Sequence, residues 1–75
     1  MGSMEELLSI ARECLLDENL GASSALEAAR GHDSLTHIKF IMALEQHYGV
    51  DLGAAPIRAS STVADVYEVV AAQRG

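Results

Sequence analysis

Apolar residues recur along the chain in steps of three and four, the period of a helix packed on one side. Leu7, Ile10 or Ala11, Cys14 and Leu15 form the first such stripe. Ser3 and Glu6 stand at capping-box spacing ahead of it, and Asn19 and Gly21 follow it, so the first helix is predicted from about Met4 to Glu18. A long connection over 21–33 comes next, with Leu20 and Leu26 as anchors to the core. Ser24-Ala25-Leu26-Glu27 has capping-box form, which predicts a single helical turn that Gly31 breaks.

The second helix is predicted from Ser34 to about Tyr48, with Gly49 as a left-handed terminator. It holds more apolar residues than one stripe needs. His37, Phe40, Ile41, Leu44 and Tyr48 make one face, which the fold is expected to bury. Leu35, Ile38 and Met42 make a second, left partly exposed as a contact surface. Residues 50–61 read as a loop in which Pro56 limits any helix to one turn around Ala55–Ala59. The last helix starts at Thr62, with Asp65 as capping partner, and buries Val63, Val66, Tyr67, Val69 and Val70. The expected fold is a single all-α domain over 1–75: a three- to four-helix bundle with a long first loop and a short third helix. Met1-Gly2-Ser3 before Met4 has the look of an expression remnant.

Composition narrows the function. At 75 residues the chain buries only roughly 60–65% of its unfolded surface, so its core must be simple. The net charge is −6, and the five basic residues are scattered, which argues against nucleic acid and anionic membranes as partners. A basic protein surface suits this charge better. No apolar run approaches the roughly 20 residues of a membrane span. Glu5 and Glu6 near the start are unlike a signal peptide. The single Cys14 cannot pair internally, which points to a reducing, cytoplasmic setting.

Candidate chemistry centres on Gly31-His32-Asp33-Ser34-Leu35. A glycine turn precedes the serine and a helix follows it, which places a hydroxyl at the positive end of the helix. The bland alternative is that Ser34 only caps the helix. Asp33, Ser34 and His37 also invite a catalytic-triad reading, but a chain this short has little room for an oxyanion hole and a substrate pocket. His32, His37 and His47 with Asp33 fit no recognised zinc spacing. Cys14 and His37 read more simply as residues of the packed faces.

The whole chain resembles the acyl and peptidyl carrier proteins. The resemblance rests on the order and spacing of its parts. They are the first helix, the long loop, Asp33-Ser34-Leu35, Ala43-Leu44-Glu45 through Tyr48-Gly49-Val50-Asp51-Leu52, and Ser61-Thr62-Val63-Ala64-Asp65-Val66. It implies that Ser34, in a motif with Asp33, accepts 4′-phosphopantetheine from coenzyme A through a phosphopantetheinyl transferase. The arm then carries an acyl or aminoacyl thioester from a loading enzyme to a downstream synthase or transferase. It implies no catalysis by the chain itself, which is expected to be a free-standing monomer. Leu35, Ile38, Lys39 and Met42 are the expected partner contacts, with Thr36, Lys39 and Glu45 setting register.

The sequence departs from the family pattern in places. Arg30 stands where the family places a leucine, and the second helix lacks the acidic run of fatty-acid carriers. Gly31-His32-Asp33 lies between the acyl and peptidyl types. These departures favour specialised, polyketide- or nonribosomal-peptide-type metabolism. The rival from another class is a small helical interaction module without a prosthetic group.

Overall fold

A computed structural model of the chain describes residues 3–53 and 57–74. Helix α1 spans Met4–Cys14. The Glu6 amide donates to Ser3 Oγ at 3.2 Å, so the predicted cap forms. Glu6 does not complete the box within the described hydrogen bonds. Its carboxylate stands 3.4 Å from His47 Nε2, tying α1 to the far end of the next helix.

Helix α1 stops four residues short of Glu18. Leu16 turns left-handed at φ 56°, and the Asp17 amide donates back to the Arg12 carbonyl at 3.0 Å. This is a Schellman-type ending with leucine where glycine is usual. A contact remote in sequence accompanies it. The Gly31 amide donates to the Leu15 carbonyl at 2.9 Å. A Cβ on Gly31 would lie 2.6 Å from that oxygen and from Leu16 Cβ, so only glycine fits there.

The connection after α1 is held by the predicted anchors, since Leu20 and Leu26 are both buried. Its helical turn is a 3-10 turn over Leu26–Ala28. Ser24 does not cap it; Ser24 Oγ accepts from the Gly21 amide at 3.0 Å instead. The turn is fixed from the other end of the chain. The Leu26 and Glu27 amides donate to the Ser61 and Ala59 carbonyls, each at 2.8 Å, and Val63 donates to Ser24 at 3.1 Å. An isolated bridge pairs Ala25 with Thr62.

Helix α2 runs Ser34–Tyr48 and ends at Gly49, left-handed at φ 67°. Helix α3 runs Val63–Arg74, and both halves of its Thr62–Asp65 box form, at 3.0 and 3.1 Å. The short helix expected around Ala55–Ala59 is absent from the described part of that segment. Ile57 and Arg58 are irregular and Ala59–Ser60 form a turn, while Ala55 and Pro56 lie outside the described residues. The described chain is thus all-helical, with three α-helices.

Helix α1 packs on both α2 and α3. Leu7, Leu15, Leu26, Phe40, Leu44, Val63 and Val66 are fully buried where they meet. From α3, Val63, Val66 and Val70 enter the core, whereas Tyr67 and Val69 are only half-buried against it. Among the described residues no helix is long and apolar enough to cross a membrane.

Candidate functional site

The site is built at the start of α2. Asp33 is extended and caps the helix: its carboxylate accepts from the Thr36 amide at 2.8 Å. In return Thr36 Oγ1 accepts from the Asp33 amide at 2.9 Å and donates to the Gly31 carbonyl at 2.9 Å. The Thr36 amide, chiefly, holds the Asp33 carboxyl below its ordinary pKa. Capping is therefore not the work of Ser34. It is the first helical residue, exposed, and its hydroxyl joins no hydrogen bond among the described groups. The Thr36 hydroxyl is engaged inside the cap.

His32 and His37 meet beside the serine. His32 Nε2 lies 3.1 Å from His37 Nδ1, and the rings stand edge to face with centroids 5.3 Å apart. Counting from the Asp33 cap, these are the positions before the cap and at the fourth helical residue. Two apolar side chains often staple a helix start there. The chain puts two imidazoles in that place. Burial first, and His32 second, hold His37 below the ordinary imidazole pKa. An open cleft of about 400 Å³ adjoins the pair, lined by His32, Ser34, His37, Ile38 and Ala59.

The second apolar face of α2 points into solvent. Leu35 is 61% exposed, Ile38 54% and Met42 51%, and Lys39 is exposed among them. Glu45 is only half-exposed, and its carboxylate accepts from the Leu52 amide at 2.8 Å. It holds the turn after α2.

The alternative chemistries are not assembled in the described hydrogen bonds. The Asp33 carboxylate faces Thr36, His37 Nδ1 faces His32, and no bond joins Ser34 to His37. His47 sits at the other end of α2 beside Glu6. Among the described residues no three or more His, Cys, Asp or Glu side chains converge as a metal site. Cys14 is half-buried, and burial followed by Glu13 raises its thiol pKa.

The imidazole pair escaped the sequence reading, although the staple spacing around Asp33 was its available signal. Comparison with protein-family models, with curated proteins and with solved structures finds no match for this chain.

Proposed function

We propose that the chain is a carrier protein, with Ser34 as the attachment point for 4′-phosphopantetheine. The observation that carries this reading is the state of Ser34. It lies within the Gly31–Leu35 motif and at the first position of α2. It is exposed, and Asp33 and Thr36 relieve it of capping. Its hydroxyl is thus free to act as the acceptor in a transferase site. The Ser34 oxygen forms the new bond to phosphorus, the pyrophosphate linkage of coenzyme A breaks, and adenosine 3′,5′-bisphosphate leaves. The hydroxyl proton passes to the transferase. The resulting phosphodiester sits at a helix start that favours an anion by about 0.3–1 kcal/mol.

In this reading the three helices form the small bundle expected of such carriers. The arm's thiol holds an acyl or aminoacyl group for delivery between a loading enzyme and a downstream synthase or transferase. The Arg30 departure does not open the loop, because neighbouring Ala29 is buried and the Arg30 amide donates to Asp17 at 3.0 Å. The scarcity of acids along α2 favours a role outside housekeeping fatty-acid synthesis. A reducing, cytoplasmic setting keeps the arm's thiol and Cys14 free.

The exposed Leu35–Ile38–Met42 face favours one other reading, a helical interaction module without an arm. Incubation with coenzyme A and a permissive transferase separates the two. The carrier gains one phosphopantetheine by intact mass, and Ser34→Ala does not. That variant should stay within about 0.5 kcal/mol of wild type in stability. Asp33→Ala, which removes the actual cap, should cost about 0.5–2 kcal/mol. Loading of Ser34→Ala at another serine sinks the assignment.

A further inference from the structure

The attachment step proposed above uses neither of the two imidazoles that line the cleft beside Ser34. We propose that His32 and His37 form a seat for the arm's phosphodiester, donating to its oxygens from their outward ring nitrogens. This inference rests on the phosphopantetheine reading of Ser34.

The argument begins with how the pair bonds. The inner nitrogens, His32 Nε2 and His37 Nδ1, are 3.1 Å apart and share one hydrogen. If His32 donates, His37 keeps its outer Nε2–H. If His37 donates, His32 keeps its outer Nδ1–H. Either neutral tautomer therefore retains one outward N–H donor and one outward acceptor. A proton added to the pair turns both outward nitrogens into donors. A phosphodiester is anionic throughout the pH range in which imidazole titrates, so it rewards the added proton. Without such an anion, burial of His37 and its neighbour His32 favour a neutral His37.

The cleft suits the rest of the arm's first segment. Besides the imidazoles and Ser34 it offers Ile38 and Ala59, apolar walls for the branched carbon chain that follows the phosphate. An apolar pair at the staple positions would brace the helix equally well. Such a pair would offer no donor to an anion.

Charged residues also lie in the segments that form the cleft. Arg30 and Asp33 flank His32, Lys39 follows Ile38, and Arg58 precedes Ala59. The charge of His32 is a minor contributor to the lowered pKa of Asp33. All four are present with and without the arm, so a difference between the two forms isolates the phosphodiester.

The test is a site-resolved NMR titration of the three histidines in the apo and the loaded protein. His47, beside Glu6 at the far end of α2, serves as the internal reference. The seat predicts that the midpoints of His32 and His37 rise on loading while that of His47 stays put. The arm's phosphorus resonance should move through the same midpoint, and that movement should be lost in both His32→Gln and His37→Gln. A loaded protein whose His32 and His37 titrate as in the apo form overturns the seat and leaves Ser34 attachment standing. Failure of Ser34 to load overturns both.

Discussion

Helix α2 has two apolar faces that the structure treats in opposite ways. Phe40 and Leu44 are fully buried, while Leu35, Ile38 and Met42 leave more than half of their surface in water. The residue types on the two faces are alike in hydrophobicity. Angular position decides between them, because α1 and its neighbours cover one side of α2 and nothing in the described chain covers the other. A small core takes what it can enclose, and the remaining apolar side chains are left largely in water. The surplus begins one residue after Ser34. That placement links the exposed face to the proposed arm, because an enzyme receiving the arm must approach along it.

The contrast breaks most readily on the buried side. Leu44→Ala should cost about 2–5 kcal/mol, since it opens a cavity in the packed centre. A domain this small holds on the order of 5 kcal/mol, so thermal melting should show a large drop or outright loss of the transition. An unchanged melting temperature would mean that Leu44 is not the packed side.

Leu16, 65% exposed and left-handed, is a third case: an apolar residue in solvent for reasons of backbone geometry. Leu16→Gly should relieve the left-handed penalty of about 1–2 kcal/mol, less the added freedom of the unfolded chain. The expected net gain is about 0.5–1 kcal/mol by denaturant midpoint. A loss would show that the leucine side chain, packed beside Gly31, contributes more than the left-handed strain costs.

On the exposed face, Ile38→Asp and Met42→Glu should leave stability within about 0.5 kcal/mol. Both should nevertheless slow transfer to the cognate enzyme. Lys39→Glu restores a charge usual in fatty-acid carriers. It should improve recognition by a fatty-acid synthase component and impair the native partner. Wild-type transfer rates in folded Ile38→Asp would place the partner surface elsewhere.

The smallest effects are those of pH, and they belong to the two ends of the buried face. His37 has a lowered pKa, so the fold favours its neutral form. Its contribution is intact above the ordinary imidazole value of about 6.5 and declines as pH falls through that value. Tyr48 behaves in the opposite sense. Its hydroxyl is buried without a hydrogen-bond partner among the described groups. Burial, and then Glu6, push its pKa up to about 12. Its contribution is present below the ordinary tyrosine value of about 10 and is lost as pH rises from there towards 12. Melting temperature against pH should sag at both limits. His37→Gln should flatten the acid side, and Tyr48→Phe the alkaline side.

The legible parts of this fold are those in which neighbouring residues suffice. Thr62 and Asp65 cap α3 with their own side chains, and Gly49 ends α2 through its own backbone. The end of α1 was not legible because Leu16 turns where Gly31, distant in sequence, packs against it. Asp33 and Ser34 are adjacent residues that both favour cap positions. Thr36 settles the choice: its hydroxyl accepts from the Asp33 amide, and its own amide donates to the Asp33 carboxylate. The His32–His37 contact falls outside the usual three- and four-residue spacing on a helix. It forms only because the chain wraps around the start of α2.

Tandem mass spectrometry of the protein after co-expression with a phosphopantetheinyl transferase tests the central claim most directly. The chain has seven serines, at positions 3, 9, 23, 24, 34, 60 and 61. The account predicts one phosphopantetheine, carried on Ser34 and on no other residue. An unmodified chain from cells in which the transferase loads a control carrier, or an arm on any other serine, would contradict it.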